Sequence, residues 1–184
     1  MKIILASASP RRGELLDQIG IEYQSHPVDI DESPRKNESA QTLVQRLAIE
    51  KAQTAYQQLQ TDLPILGSDT LGWLDKEILA KPRDFEHARS MLRQMSNNIH
   101  QIMTAVAVCY KGKMTTALNI NQVYFRSISD KEIKTYWETG EPQDKAGGYA
   151  IQGKGALFVR HVEGSYSGIM GLPLYEVGQL LNDL

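Results

Sequence analysis

The sequence predicts an α/β protein with a mixed β-sheet, and two features lead to this fold class. Short apolar segments with strand patterns alternate with segments of helical periodicity from the first residues onward. Residues 100–110 and 114–125 are long and rich in β-branched and apolar side chains, and only Lys111-Gly112-Lys113 separates them, which predicts an antiparallel hairpin. Because a purely parallel sheet cannot contain that hairpin, the sheet must be mixed.

The length and charge of the chain limit what it can bind. At 184 residues it fits a single domain, 1–184, with a substantial core. Its formal net charge of -2 gives no global field that would hold nucleic acid or an anionic membrane, so we expect neither partner. No apolar segment is long enough to span a bilayer and the N-terminus lacks an apolar signal core, which predicts a cytoplasmic protein.

The lone cysteine and the four histidines carry no predicted chemistry. Cys109 lies in an apolar segment and is expected to be a small buried hydrophobe; a single cysteine excludes an internal disulfide and a thiolate metal cluster. His100 has no partner at metal-ligand spacing, and the other histidines are scattered.

The first strand and the first helix are predicted to meet in a tight turn. Residues 2–5 are apolar and predict a short buried strand. Ser9 followed by Pro10 is typical of a helix N-cap and first helical residue, and this helix should bury Ile19 and stop at Gly20.

That turn has the features of an anion site. A strand-to-helix turn directs free backbone N–H groups at whatever lies above it, and Ser7, Arg11 and Arg12 add hydroxyl and guanidinium donors. Phosphate is the favoured ligand. The alternative is a capped surface helix with solvated arginines.

The following elements are predicted in the same way, from periodicity, caps and glycine or proline stops. They are a strand near 21–25, a charged loop at 29–37, a helix at 39–59, a strand at 63–70, a hairpin at 71–80, a helix capped by Asp84, the hairpin at 100–125, a helix opened by the capping box Ser129 to Glu132, a glycine-rich loop at 141–153, a strand at 156–162, a glycine-containing loop at 164–171 and a C-terminal helix from Pro173.

Asp69 is the best candidate catalyst. It follows an apolar strand in the segment Gly67-Ser68-Asp69-Thr70, where a carboxylate is held rigidly and still reaches solvent at the strand exit. Such a group either binds a divalent cation or takes a proton from water, and both roles fit hydrolysis of a phosphate ester or anhydride. The alternative is a simple turn or capping aspartate.

Four further charged residues are candidate ligands of a metal ion or of phosphate at a site that contains Asp69. Asp31 and Glu32 form an acidic pair in a loop, the kind of place where Mg²⁺ finds one or two carboxylates, although charged loops are usually only solvated. Lys51 and Lys81 are candidate phosphate ligands, although each taken singly fits an ordinary surface lysine better.

Eight segments along the chain share one further property, their order and spacing. They are Ser7-x-Ser9-Pro10-Arg11-Arg12, Asp31-Glu32, Glu50-Lys51-Ala52, Gly67-Ser68-Asp69-Thr70, Lys81-Pro82, Gly140-Glu141-Pro142, Asp144-Lys145-Ala146-Gly147 and Gly171-Leu172-Pro173-Leu174. In this order and spacing, over nearly the whole chain, they resemble the Maf family of nucleoside triphosphate pyrophosphatases.

The resemblance implies a fold and a set of site residues. The fold is an elongated mixed α/β structure related to the inosine triphosphatases, with two lobes around a cleft, and it is commonly found in a homodimer. Asp69 matches the family's catalytic proton acceptor. The residues that match its phosphate and metal site are Ser7, Arg11, Glu32, Lys51 and Lys81.

Three further positions match those that separate the substrate branches of the family. Arg12, Thr70 and Gln152 resemble the dTTP/UTP branch rather than the 7-methyl-GTP branch. An amide such as Gln152 also has the donor and acceptor that pairing with O4 and N3–H of uracil or thymine requires.

The resulting expectation is hydrolysis of dTTP or UTP, with modified pyrimidine nucleotides as further candidates, to the monophosphate and pyrophosphate. Mg²⁺ or Mn²⁺ would be held by Glu32, and Asp69 would be the base, a second metal ligand or both. The alternative is a nucleotide-sensing regulatory protein of septum formation and cell-division arrest, which would bind nucleotide without significant turnover.

Overall fold

The computed structural model describes residues 1–143 and 145–184 in full and the backbone of residue 144. Seven strands form one mixed sheet, which confirms the predicted fold class. The strands are β1 (Lys2–Ala6), β2 (Glu22–Ser25), β3 (Ile65–Leu74), β4 (Glu77–Leu79), β5 (Ile99–Tyr110), β6 (Lys113–Phe125) and β7 (Val159–Glu163). The helices are α1 (Pro10–Gln18), α2 (Ala40–Leu59), α3 (Phe85–Met95), α4 (Asp130–Trp137), α5 (Tyr166–Met170) and α6 (Leu174–Asn182).

The sheet combines parallel and antiparallel pairs. Its strand order is β2-β1-β3-β5-β6-β7, and β4 pairs with β3 off this path. β1 runs parallel to β2 and to β3, whereas the β3–β4 and β6–β7 pairs are antiparallel. β1 and β3 are parallel neighbours, and Ala6 at the end of β1 pairs with Gly67 of β3. The turn that follows β1 therefore begins beside the polar residues that follow Gly67.

The chain divides into two compact units. The first consists of Met1–Thr70, Met103–Asn119 and Ser167–Leu184, and the second of Leu71–Ile102 and Ile120–Tyr166. A core cluster of the first unit joins β1, α1, β3, β5 and α6. Its buried members are Ile3, Leu5, Leu15, Leu16, Leu66, Val106, Val108, Leu172, Val177 and Leu181.

Local signals located most helix ends correctly. Ser129 accepts from the Glu132 backbone N–H while the Glu132 carboxylate accepts from Ser129, so the predicted capping box opens α4. Ser9 occupies the N-cap position of α1, as predicted, although its side chain makes no capping hydrogen bond. The predicted burial of Ile19 is wrong, because this residue is 41% exposed at the end of α1.

Two predicted strands and one predicted loop need correction. β3 continues from Ile65 to Leu74, so Asp69 lies within a strand and not at its exit. The strand predicted for 156–162 begins only at Val159, after a 3₁₀ helix over Lys154–Phe158 in which Leu157 is 72% exposed. The loop predicted for 164–171 contains the short helix α5.

None of the described helices is long and apolar enough to cross a membrane. Cys109 is buried in β5, as predicted, and burial raises the pKa of its thiol.

Candidate active site

Asp69 is a buried carboxylate in the middle of β3. Its side chain is 12% exposed, and Oδ1 accepts a hydrogen bond of 2.6 Å from the Lys51 ammonium. Burial raises the pKa of Asp69 because it disfavours the charged form, while the positive charge and hydrogen bond of Lys51 act in the opposite direction. The site therefore holds a carboxylate of raised pKa beside the Lys51 ammonium.

Lys51 reaches Asp69 because α2 lies unusually close to β3 at Gly67. A Cβ atom on Gly67 would lie 2.7 Å from the Ala52 backbone nitrogen and closer still to the Ala48 carbonyl oxygen. Real Cβ atoms do not approach backbone so closely, so this contact between helix and strand requires glycine. Ala52 follows Lys51 directly, and the close approach thus fixes the origin of the lysine side chain.

Glu32 completes a three-residue charge cluster. Its carboxylate lies 2.7 Å from the Lys51 Nζ atom, on the same ammonium that binds Asp69. The Glu32 side chain is 59% exposed, whereas Lys51 is 12% exposed. Asp31, the other member of the predicted acidic pair, instead accepts from the Ser33 backbone N–H and stabilises the loop.

Ser7 retains a free proton donor in the turn after β1. Its Oγ atom accepts from the Ser9 backbone N–H at 3.1 Å and from Arg12 Nη1 at 2.9 Å. These two bonds use both acceptor positions of the hydroxyl, and no described residue accepts its proton. The Ala8 backbone N–H also lacks an acceptor among the described residues. Both groups suit an anion with several oxygens.

Arg12 ties three segments of the first unit together. Its Nε donates to the Gly171 carbonyl at 2.9 Å, Nη1 to Ser7, and Nη2 to Thr70 Oγ1 at 3.3 Å. Burial lowers the pKa of Arg12, although an arginine stays charged at any physiological pH. Arg11, the preceding residue, is half-buried and has no side-chain partner among the described residues.

A chain of hydroxyl groups extends from Arg12 and was not predicted from the sequence. Thr104 donates to the Gly168 carbonyl at 2.7 Å and lies 2.9 Å from Thr70. Since Thr104 has a single hydroxyl proton, Thr70 donates to Thr104 and accepts from Arg12. The only available signal was one threonine within the otherwise apolar segment 102–109.

Ser68 was also missed, and it is fully buried. Its hydroxyl donates to the Gly171 carbonyl at 3.0 Å, the same oxygen that accepts from Arg12. Gly171 adopts a φ of 109°, a conformation that favours glycine. The segment before α6 is thus bound to β3 and α1 through one backbone carbonyl.

Lys81 and Gln152 belong to the second unit, and the structure does not group them with the residues above. Lys81 is exposed, directly after Ala80, whose carbonyl accepts from the Gly147 N–H at 3.0 Å. Gln152 is exposed in a turn closed by a hydrogen bond from the Gly153 N–H to the Ala150 carbonyl. Their predicted roles stay predictions.

The donor set of the first unit fits a divalent cation that shares its coordination with a ligand. Glu32 and Asp69 supply carboxylate oxygens around one point, the Lys51 ammonium. Among the described residues there is no group of three or more His, Cys, Asp or Glu suited to a metal, so an all-protein cage is not formed there. Mg²⁺ commonly takes one or two carboxylates and completes its shell with water and phosphate oxygens.

The fold and this site define an α/β protein in which a buried acid lies on the strand beside a turn that has free hydrogen-bond donors. The chain belongs to the Maf family: the sequence model described as Maf-like protein matches residues 2–184.

Curated relatives match almost the full chain. It is 50% identical to a dTTP/UTP pyrophosphatase of Alkalilimnicola ehrlichii over 98% of this chain and 92% of the relative. It is 50% identical to a dTTP/UTP pyrophosphatase of Pseudoalteromonas translucida over 97% of this chain and 95% of the relative. This chain is also 48% identical to the dTTP/UTP pyrophosphatase of Escherichia coli O157:H7, over 98% of this chain and 92% of the relative.

Solved structures give more distant similarities. A nucleoside-triphosphatase, dITP/XTP pyrophosphatase, of Mycobacterium abscessus is 19% identical with a TM-score of 0.48, over 70% of this chain and 76% of that one. The Staphylococcus aureus Ham1 protein is 11% identical with a TM-score of 0.47, over 68% of this chain and 72% of that one.

Proposed function

We propose that this protein is a nucleotide pyrophosphatase that hydrolyses dTTP and UTP to the nucleoside monophosphate and pyrophosphate. The observation that carries the proposal is the buried Asp69 carboxylate held by Lys51, on the strand adjacent to the turn where Ser7 keeps a free donor. The curated relatives that match nearly the full length of the chain are 48% to 50% identical to it, and they bear the name of this activity.

In the proposed reaction, Asp69 takes a proton from a water molecule. The water oxygen forms a bond to the α-phosphorus, and the bond from the α-phosphorus to the bridging oxygen breaks. The bridging oxygen leaves with the electron pair as part of pyrophosphate. The Asp69 oxygen that does not bind Lys51 is the one available, either for this proton or for a metal ion.

The phosphates would be bound by groups from several segments. Ser7 would donate its free proton to a phosphate oxygen, and Arg11 and Lys51 would place positive charge near the leaving group. Lys81, from the second unit, is proposed to add a further positive charge. Charge that is already in place when pyrophosphate leaves costs no reorganisation during the reaction.

A divalent cation, Mg²⁺ or Mn²⁺, would be held by Glu32 and Asp69 and, when bound, would neutralise phosphate charge.

The base is proposed to be selected by Arg12, Thr70 and Gln152. Arg12 and Thr70 already hydrogen-bond to each other and to Ser7, Thr104 and Gly171, and these bonds would hold both side chains in place beside a bound base. Gln152 is exposed and offers both a donor and an acceptor for a pyrimidine edge. Function of residues 1–184 as one domain, in the cytoplasm and as a homodimer, is part of the same proposal.

The test is a panel of nucleoside triphosphates, including modified pyrimidine nucleotides and 7-methyl-GTP, assayed for pyrophosphate with and without Mg²⁺. We expect dTTP and UTP to give the highest kcat/KM, with equal amounts of monophosphate and pyrophosphate. Preference for another base would overturn the substrate assignment. Tight nucleotide binding without any turnover would instead favour the nucleotide-sensing alternative.

A further inference from the structure

A network of charged side chains supports the loop that carries Glu32. At its centre is Arg46, on α2 one and a half turns before Lys51. Its guanidinium donates to Glu38 through Nε at 2.7 Å and Nη2 at 2.9 Å, and to Glu50 through Nη1 at 2.9 Å. Nη2 also donates to the Ser33 carbonyl at 3.0 Å.

This network differs from an ordinary surface ion pair. The Arg46 side chain is 11% exposed and the Glu38 side chain only 5%, and the two form a bidentate pair. Paired hydrogen bonds between a guanidinium and a carboxylate fix both distance and orientation, and little water competes with them here. Hydrogen bonds from Arg46 and from the Arg35 backbone lower the pKa of Glu38 to about 2, so the pair stays charged at neutral pH.

The network holds the loop on the C-terminal side of Glu32. Arg46 binds the carbonyl of Ser33, the residue directly after Glu32. The Arg35 backbone N–H donates to Glu38 at 2.9 Å, and the Arg35 guanidinium binds Glu50 at 2.8 Å. Loop and helix are therefore joined at several points within a few residues of Glu32.

Glu32 itself has little else to hold it. Its side chain is 59% exposed, yet its carboxylate lies 2.7 Å from Lys51 Nζ. An exposed glutamate loses rotamer freedom when it is held at one point, so a lone surface contact with lysine contributes little. A fixed backbone lowers that cost, because fewer of the glutamate's conformations point away from Lys51.

We propose that Arg46 is a positioning residue of the site: by fixing the Ser33 carbonyl it holds the Glu32 carboxylate against Lys51. The inference deepens and rests on the proposed function, in which Glu32 binds the cation and Lys51 the phosphates. Arg46 touches neither and acts through the loop.

The first test is a double-mutant cycle on kcat/KM for dTTP. Supporting residues behind a metal ligand typically account for about 10- to 100-fold in affinity or activity, and we expect a loss of that size for Arg46→Met. In a Glu32→Gln background the same change should cost less than about threefold, because Arg46 acts only through Glu32. Equal losses in both backgrounds would overturn the proposal, since a merely structural role gives additive effects.

Two further variants make the cycle specific. Arg46→Lys keeps the charge but cannot bind Glu38, Glu50 and Ser33 together, so it should recover only part of the activity. Arg89 on α3 is a matched control, because it also bridges two carboxylates, those of Glu86 and Asp130. Arg89→Met should change kcat/KM by less than about twofold.

The second test does not depend on catalysis. Amide hydrogen exchange of residues 31–38 should become at least about tenfold faster in Arg46→Met, while the middle of α2 stays protected. Glu38→Gln, which weakens the pair without removing Arg46, should give a smaller increase and serves if Arg46→Met does not fold. Unchanged exchange in this loop would overturn the proposed anchoring whatever the activity, whereas a wild-type protein that turns over no triphosphate would overturn the proposed function.

Discussion

At the scale of single residues, Asp69 shows how position decides the chemistry of a carboxylate. Burial raises its pKa, and Lys51 opposes that effect with a hydrogen bond of 2.6 Å. The pair keeps the acid in a rigid orientation on a strand. A carboxylate that is held in place and made more basic suits proton abstraction from water.

Replacing Asp69 with asparagine tests this role. Asp69→Asn should lower kcat by about 10²- to 10⁴-fold, the range typical of a lost general base, because an amide keeps the shape but accepts no proton. Nucleotide binding, measured by calorimetry, should persist. Asp17→Asn on the exposed face of α1 is the control and should retain full activity. Turnover of Asp69→Asn near the wild-type rate would remove Asp69 from the mechanism.

Gln152 carries the prediction on base selection. Gln152→Glu replaces an amide donor with a carboxylate, which cannot donate to O4 of uracil or thymine. We expect kcat/KM for dTTP and UTP to fall by about 10-fold or more, with the thermal unfolding midpoint unchanged because the residue is exposed. Gln143→Glu, an exposed change in the same glycine-rich loop, is the control. An unaltered nucleotide preference would contradict the proposed base contact.

Residue types and their order were enough to single out Ser7, Arg12, Glu32, Lys51 and Asp69, all of which the structure groups in the first unit. They were not enough to find Ser68, Thr104 or Arg46. Ser68 and Thr104 donate to backbone carbonyls that are distant along the chain. Arg46 has a local partner in Glu50 at i,i+4, but its bonds to Glu38 and to the Ser33 carbonyl join the helix to a loop. Sequence periodicity carries no information on such contacts.

At the scale of elements, the contact between α2 and β3 positions the acid relative to its lysine. α2 and the residues of β3 up to Thr70 belong to the first unit, and Gly67 allows helix and strand to approach. A larger residue at this point forces the helix outward, because the atoms it meets are backbone and cannot rotate away. The distance from Lys51 to Asp69 therefore depends on Gly67 having no side chain.

Gly67→Ala should accordingly impair both stability and activity. We expect a loss of about 1–3 kcal/mol in the free energy of unfolding, as for other overpacked cores, and a fall in kcat/KM. Urea unfolding and steady-state kinetics measure the two effects. Gly178→Ala is the matched control, because nothing lies within 4 Å of its Cβ position on α6, and it should be neutral or slightly stabilising. Wild-type stability of Gly67→Ala would contradict the close packing of α2 on β3.

Elements were predicted well where the signal is local and poorly where it is not. Two turn residues and a capping box predicted the β3–β4 hairpin and α4, because these motifs satisfy hydrogen bonds within a few residues. The segment Gly67-Ser68-Asp69-Thr70 was predicted to end its strand, yet β3 continues to Leu74. Its polar side chains are satisfied by α2, α1 and the segment before α6, which local sequence does not reveal.

At the scale of the whole molecule, the stability of the fold is linked to a buried histidine. His100 is 1% exposed in the second unit, where its ring packs edge-on against Phe125 and Tyr149 and its Nε2 hydrogen-bonds to the Tyr149 hydroxyl at 2.7 Å. Burial lowers the pKa of His100 to about 4, and Nδ1 has no hydrogen-bond partner among the described residues. The sequence assigned His100 no catalytic role, and its surroundings are those of a core residue.

This burial makes the free energy of unfolding depend on pH. The unfolded chain binds a proton at His100 below about pH 6.5 and the folded protein only below about pH 4, so stability should fall as the pH decreases through that window. A shift of this size corresponds to about 3 kcal/mol. Urea unfolding between pH 7 and pH 4 measures how the free energy of unfolding changes with pH. This pH dependence should be weaker in His100→Gln than in the wild type, whereas His161→Gln, an exposed change, should keep the wild-type dependence. The same pH dependence in the wild type and both variants would contradict the assignment.

The central claim is that water, activated at Asp69, attacks the α-phosphorus of a pyrimidine nucleoside triphosphate. The most direct measurement is hydrolysis of dTTP in water enriched with oxygen-18, followed by mass spectrometry of both products. One labelled oxygen in the thymidine monophosphate, with unlabelled pyrophosphate, is the predicted result. Label in the pyrophosphate, or release of inorganic phosphate in place of pyrophosphate, would contradict it.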